Sequence, residues 1–237
     1  MSRAEEDRVF LETTRRFAPP RLAREDVRLA LELAQVQPGK PIADLGCGYG
    51  RHLKALIEAG HAQPIGVDRS ELLLGEARVQ APGARLLRAD LRELPLHEGT
   101  LSAAFCFYSS MFLGAHEESV QALRECARVL RPGGSLVLTT DNPLRLAARP
   151  QSRFEEDVPG LGQVVEESVY ERGTDRVTKR VRTPRGEQLS ATFVIRYYLP
   201  DELARLAEEA GLSLRRLSPD RPLTEETPQL VALLNKS

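Results

Sequence analysis

Between residues 41 and 142 the chain alternates short apolar runs with longer amphipathic stretches. Segments 42–45, 64–67, 84–88, 101–107 and 135–140 are compact, mostly apolar and of strand length. Between them, 51–59, 70–80 and 117–130 repeat apolar residues at helical spacing. Strands that alternate with helices predict right-handed βαβ crossovers and a parallel sheet covered on both faces.

Two segments depart from that rhythm. Much of the first forty residues reads as helix, with Val27, Ala30, Leu31 and Ala34 on one face, and the Pro38-Gly39-Lys40-Pro41 stretch ends it. Residues 1–40 are expected to cover a pocket of the α/β core. After Asn142, segments 162–171, 176–183 and 188–198 read as strands, joined by Arg172-Gly173-Thr174-Asp175 and Pro184-Arg185-Gly186-Glu187. They predict a three-stranded antiparallel meander, so that residues 144–196 form an inserted lid or substrate-selecting unit. A helix over 200–210 with proline at its start and Gly211 as its stop follows, then two closing strands, 212–217 and 229–234. The core is thus expected to comprise 41–143 and 197–237.

Composition narrows the functional classes. The 237 residues carry 33 basic and 34 acidic side chains, a net charge of −1. That balance gives no global drive toward nucleic acid or an anionic membrane. A hydrophobic fraction of 41% permits a sizeable core. Cys47, Cys106 and Cys126 have neither the even count of a disulfide framework nor the paired spacing of a zinc site. The charged start MSRAEEDRVF lacks a signal-peptide pattern, and no apolar run nears the roughly 18–20 residues that span a bilayer. The expectation is a soluble cytoplasmic protein, monomer or homodimer.

The strongest chemical signal is Asp44-Leu45-Gly46-Cys47-Gly48-Tyr49-Gly50-Arg51, where the first strand opens into a helix. Glycines at alternate positions let the backbone turn sharply and approach a ligand, although a tight turn without a ligand needs them too. Asp68 ends the second strand, where dinucleotide-type folds place an acid against ribose hydroxyls. Asp90 follows the third strand. Three acids at the ends of three successive strands are hard to explain as chance helix caps. A nicotinamide cofactor prefers G-x-G-x-x-G, whereas Arg51 stands at the sixth position here, and Asp44 beside a pyrophosphate would set negative against negative. A carboxylate there suits a cationic ligand without phosphate, such as S-adenosylmethionine.

The stretch Asp44–His52 resembles motif I of the class I S-adenosylmethionine-dependent methyltransferases. Gly66-Val67-Asp68 is similar to their acidic ribose motif, Ala89-Asp90-Leu91 to their adenine-edge motif, and Leu130-Arg131-Pro132-Gly133-Gly134 to the turn before their fifth strand. The match covers roughly residues 36–141, and 198–212 resembles the helix before the family's sixth strand. The resemblance implies a Rossmann-like, doubly wound, seven-stranded, mainly parallel sheet whose last strand is antiparallel, with the meander inserted. It implies S-adenosylmethionine as cofactor and S-adenosylhomocysteine as product. Asp44, Leu45, Gly46, Cys47, Gly48, Gly50 and His52 would surround the methionine half. Asp68, Arg69, Asp90, Leu91 and Phe107 would complete the pocket, with Asp90 at the exocyclic amine and the Leu91 amide at a ring nitrogen.

The acceptor side carries fewer signals. Phe105-Cys106-Phe107-Tyr108-Ser109-Ser110-Met111-Phe112 follows the fourth strand and lacks the Asn/Asp-Pro-Pro-aromatic tetrapeptide of DNA-adenine and protein-glutamine methyltransferases. It looks closer to small-molecule methyltransferases, so a small-molecule acceptor is expected. Tyr108 is a candidate catalytic or wall residue, and His116 a candidate base or a solvated residue of a helix's first turn. His61 and His97 read as surface loop residues. Asp141-Asn142 is similar to the pair that holds magnesium in catechol-type O-methyltransferases, but Tyr108 and Ser109 stand where a further acid would be needed. No metal is expected, and the pair is expected to cap and shape the pocket floor. Arg176, Lys179, Arg180, Arg182 and Arg185 form a basic strand that reads as an RNA contact or as a solvated edge neutralised by Glu166, Glu167, Glu171 and Asp175. An RNA-modifying enzyme and a non-catalytic cofactor-binding homologue are the alternatives to small-molecule methylation. Tyr197 and Tyr198 are expected to divide between closing the pocket and core packing.

Overall fold

The computed structural model describes residues 3–108, 110–218 and 223–236; Ser109, expected in the loop after the fourth strand, lies outside them. The N-terminal helical segment divides in two, α1 (Arg3–Phe17) and α2 (Pro20–Ala34). Pro20 starts α2, where its missing N–H costs nothing, and Ala23, Val27 and Ala30 form its buried face. There follow β1 (Ile42–Leu45), α3 (Arg51–Glu58), β2 (Ile65–Asp68), α4 (Glu71–Gln80), β3 (Arg85–Arg88) and β4 (Leu101–Cys106). A short 3-10 turn, Ser110–Phe112, leads to α5 (His116–Val129) and β5 (Leu130–Asp141).

Strand β5 begins earlier than the apolar run at 135–140 predicts. Leu130 pairs with Leu101 while Ser135 pairs with Ala103, so Arg131-Pro132-Gly133-Gly134 bulges out of the ladder instead of preceding it. Gly133 takes φ 71°, a conformation that a residue with a Cβ resists. After β5 come α6 (Pro143–Ala148), β6 (Gln151–Val158), β7 (Gly162–Glu171), β8 (Thr174–Arg182) and β9 (Gln188–Arg196). The chain closes with α7 (Pro200–Glu209), β10 (Leu212–Ser218) and β11 (Gln229–Lys236).

The main sheet has seven strands in the order β10-β11-β5-β4-β1-β2-β3. Strands β1 to β5 pair in parallel, and β11 inserts antiparallel between β5 and β10. The doubly wound sheet with its last strand antiparallel is therefore as the family resemblance implies. Its central strands are buried along their whole length, β1 and β4 without exception, as a sheet covered on both faces requires. On one face, Leu123, Cys126 and Leu130 pack with Leu203 and Leu206 of α7. On the other, Ala23, Val27 and Ala30 of α2 meet Leu56, Phe105 and Val137.

The meander has four strands, in the order β6-β7-β8-β9, not three. Strand β6 carries no sequence signal because it is exposed along nearly all its length, so no apolar alternation marks it. Helix α6 is a further element that the sequence pattern does not predict; the Asn142 side chain caps it by accepting from the Leu144 amide at 3.0 Å. The turn between β7 and β8 is only Arg172-Gly173, at φ 50° and 77°, so Thr174 and Asp175 belong to the strand. Helix α1 packs Val9 among Val158, Leu161, Val164, Val181, Leu189 and Ala191 of the meander. An ion pair between Arg15 and Glu76 ties it to α4. Among the described residues no helix is long and apolar enough to cross a membrane.

Candidate active site

The glycine loop after β1 folds around the end of β2. The amides of Gly46 and Cys47 both donate to the Val67 carbonyl, at 2.8 and 3.0 Å, and the Gly50 amide donates to the Cys47 carbonyl. The Gly48 amide donates to Oδ2 of Asp68 at 2.9 Å. With these four amides committed inside the loop, they cannot form a phosphate-binding nest. The three glycines do different work. A Cβ on Gly46 would meet Ser110 at 2.4 Å, and one on Gly50 would meet Ala77 at 2.9 Å. A Cβ on Gly48 would meet only Phe10, at 3.9 Å, so this glycine keeps open the cavity above it.

That cavity measures about 1010 Å³ and lies along the carboxyl ends of the strands, where an open α/β sheet binds its ligand. Gly46, Cys47, Gly48, His52, Asp68, Arg69, Asp90, Leu91, Phe107 and Tyr108 line it, so the structure gathers most of the sequence-derived residues in one place. Three do not reach its wall. Leu45 is sealed within the sheet, Gly50 packs α3 against α4, and Asp44 lies beneath the loop. His116 is also outside the cavity wall: it is exposed, and its Nδ1 lies 3.2 Å from the Tyr198 hydroxyl. It fits the solvated first-turn reading rather than that of a base.

The acids behave differently from one another. Asp44 is 1% exposed, and neither carboxylate oxygen has a partner among the described residues. Burial pushes its pKa up to about 8, with Arg51 pulling the other way. An orphaned buried carboxylate of this kind fits a ligand that brings a cation to the loop. Asp68 accepts from Ser70 as well as Gly48, and burial outweighs those bonds to raise its pKa. Asp90 is held by Arg92, whose Nε and second guanidinium nitrogen lie at 2.8 and 2.6 Å, and its pKa falls. Arg92 also pairs with Glu118.

His52 is 4% exposed and stacks on Phe107, ring centroids 4.0 Å apart. Its Nε2 lies 3.2 Å from Oδ2 of Asp26, and the Tyr108 hydroxyl donates to that same oxygen at 3.0 Å. Burial lowers the His52 pKa to about 4, so the ring is neutral at pH 7. Asp26 has no sequence signal of its own: on α2 it reads as one more polar position beside the apolar stripe.

The meander supplies the far wall. Glu166, Ser168, Asp175, Val177, Lys179 and Phe193 line the cavity, and Asp141 and Tyr197 close it beside them. Ser168 donates to Asp175 at 2.6 Å, and the Tyr197 hydroxyl donates to Asp141 at 3.3 Å. Asp141 opens into the cavity, yet its removal from bulk water raises its pKa, and Asp175 and Glu166 add to the rise. Tyr198 instead packs on Phe112 in the core, so the two tyrosines divide as expected. Asn142 turns away to donate to the Thr224 and Thr227 carbonyls, both at 2.7 Å.

The basic strand is split by the two-residue period of β8. Lys179 faces the cavity and pairs with Glu166 at 2.8 Å, while Arg176, Arg180 and Arg182 face outward and Arg180 pairs with Glu167 at 2.5 Å. Glu166 and Glu167 neutralise part of the strand as expected, whereas Glu171 pairs with Arg172 and Asp175 accepts from Ser168, and β8 is an interior strand of the meander, not an edge. His61 also departs from expectation. It is 4% exposed, and its amide closes the end of α3 on the Leu56 carbonyl. His97 is exposed.

Residues 42–134 match the family described as "Methyltransferase domain". A malonyl-[acyl-carrier protein] O-methyltransferase from Methylococcus capsulatus is 29% identical over 196 residues, 78% of this chain and 66% of that protein. The chain spans less than two thirds of the length of the curated relatives it matches first. Among solved structures, the CcbJ methyltransferase from Streptomyces caelestis superposes with a TM-score of 0.78 at 23% identity, covering 93% of this chain and 97% of that one. The S-adenosylmethionine-bound amino pentose methyltransferase CalS10 from Micromonospora echinaspora superposes with a TM-score of 0.66 at 20% identity, covering 90% of each. At these identities the two structures bear on the fold.

Proposed function

We propose that this chain, a class I S-adenosylmethionine-dependent methyltransferase through its domain at residues 42–134, methylates a small-molecule acceptor held between the glycine loop and the meander. The observation that carries the reading is the single cavity that joins Gly48, Asp68 and Asp90 to Asp141, Glu166 and Asp175. One half offers the acids and glycines that suit a nucleoside with a cationic tail. The other half is a walled chamber of small-molecule size.

The cofactor supplies a methyl group already activated on a sulfonium, and transfer follows by in-line displacement with S-adenosylhomocysteine as the second product. The chain's task is alignment and exclusion of water. On this reading Asp68 holds the ribose hydroxyls, Asp90 and the Leu91 amide meet the adenine edge, and the orphaned Asp44 acts on the positive end of the methionine half from beneath the glycine loop. Phe107, Tyr108 and Met111 line the same cavity. Helix α1 and the meander close the chamber from above, as a lid that selects the acceptor.

Asp141 and Asp175 in the acceptor half, beside a Glu166 already paired with Lys179, favour an amine-bearing molecule, whose ammonium they would hold. Asp141, with its raised pKa, is the group there suited to take the proton that an amine must lose before it attacks. The amino pentose methyltransferase among the structural neighbours supports the same acceptor class.

The test is transfer of labelled methyl from S-adenosylmethionine across a panel of amino sugars and other small amines, with RNA and protein fractions alongside. Label in a small amine, matched by S-adenosylhomocysteine, is the expected result. Label in RNA or protein alone would overturn the acceptor class.

A further inference from the structure

We infer that the Glu166–Lys179 ion pair is a charge filter that admits amines and turns away their phosphate esters, with Glu166 as the residue that sets the selection. This rests on the reading of the meander half of the cavity as the acceptor site.

The pair is built into the sheet. Glu166 on β7 and Lys179 on β8 stand directly opposite each other, in a cross-strand row that continues to Phe154 on β6 and Ala191 on β9. Phe154, Glu166 and Lys179 line the cavity, whereas Ala191 is sealed beside them. The Lys179 side chain is only 15% exposed, and its ammonium lies 2.8 Å from the Glu166 carboxylate.

Among the described residues, Lys179 is the only cation that lines this half of the cavity. Arg176, Arg180 and Arg182 of the same strand do not line it. The other three cations of the wall stand at the cofactor end. Arg51 lies over the Tyr108 ring, 4.5 Å from its centroid, Arg69 follows Asp68, and Arg92 is spanned by Asp90 and Glu118. An anionic group on the acceptor would therefore have to recruit Lys179, which Glu166 already holds. Prising open a pair shielded from water leaves a carboxylate uncompensated, so the exchange is unfavourable. Glu166 also acts beyond its partner. On top of burial, its charge raises the pKa of both Asp141 and Asp175. Three carboxylates and one ammonium thus face the acceptor, a negative surplus that attracts an ammonium and repels a phosphate.

The test is calorimetric and needs no turnover. Wild type, Glu166→Gln and Lys179→Met, each saturated with S-adenosylhomocysteine, are titrated with glucosamine and with glucosamine 6-phosphate. Both sugars carry the same amine, so the ratio of their affinities reads the phosphate. Wild type is expected to prefer glucosamine by about tenfold or more. Glu166→Gln keeps the size of the side chain, frees Lys179 for the phosphate and should shrink that preference severalfold. Lys179→Met leaves Glu166 unpaired toward the ligand and should widen it. Charge selection demands these opposite movements, whereas a merely structural role would shift both variants in one direction. If one variant fails to fold, the direction of the other decides. Equal or tighter binding of glucosamine 6-phosphate by wild type would overturn the inference, as would an unchanged preference in Glu166→Gln. Binding of neither sugar to a wild type that holds S-adenosylhomocysteine would overturn the amino-sugar reading, and the inference with it.

Discussion

The Gly48 amide and the Asp68 carboxylate are joined at 2.9 Å, so the acid that ends β2 also pins the middle of the glycine loop. Its other oxygen holds the Ser70 amide at 2.9 Å, just ahead of α4. Loop geometry and the proposed ribose contact therefore fall on one side chain.

Asp68→Ala is accordingly expected to do two things. Losing hydrogen bonds to a charged acceptor should cost about 1–3 kcal/mol of stability, and cofactor affinity should fall with it. Asp68→Asn keeps one acceptor oxygen and should recover part of the stability. Urea unfolding of both variants, beside titration with S-adenosylhomocysteine, separates the effects. Wild-type stability in Asp68→Ala would show that the loop does not depend on this carboxylate.

Asp44 sets stability against binding. Its folded pKa of about 8 lies above the ordinary 3.8, so the folded state holds a proton that the unfolded state releases first. This group's contribution to stability is therefore fully present below the lower value and declines as pH rises toward the upper one. Asp44→Asn should remove that decline, with a stability advantage over wild type that grows between those pH values, while cofactor affinity drops. Chemical denaturation at a series of pH values reads the slope, and parallel curves for the two proteins would contradict it.

His52 works in the opposite direction. Its folded pKa of about 4 lies below the ordinary 6.5, so on acidification the unfolded state is protonated first. Stability from this residue is present above the higher value and is lost as pH falls through the window. Replacement by Gln, which is still able to donate to Asp26, should flatten the acid limb of the stability profile. An unchanged acid limb would mean that His52 is charged in the folded protein.

Gly50 distinguishes packing from ligand contact. At φ 85° and with Ala77 2.9 Å from where a Cβ would stand, Gly50→Ala should cost roughly 1–3 kcal/mol of stability through overpacking of α3 on α4. Any loss of cofactor affinity should track that destabilisation. Full stability with abolished binding would return Gly50 to the ligand-contacting set.

How much of the fold and site is legible in the chain depends on burial. Strands β1 and β4 are buried on both faces, so their apolar runs announce them. The glycine loop and the acids at the carboxyl ends of β1, β2 and β3 carry their own chemistry. Strand β6 offers nothing comparable, since an exposed strand of polar residues has no period to detect. Asp175 is hidden by an ordinary rule: beside Arg172-Gly173-Thr174 it reads as turn, whereas the hairpin needs only two residues and delivers it to the cavity wall. Asp26 and Arg51 are hidden by distance. Their meaning depends on Tyr108, which comes from the loop after β4 and meets them only after the sheet has formed.

The central claim is that the cavity around Gly48, Asp68 and Asp90 holds S-adenosylmethionine. The most direct measurement is titration calorimetry of the purified, folded chain with S-adenosylmethionine and S-adenosylhomocysteine. Saturable one-to-one binding, weakened in Asp68→Ala, is the expected result. Absence of binding by either ligand to a demonstrably folded sample would contradict it.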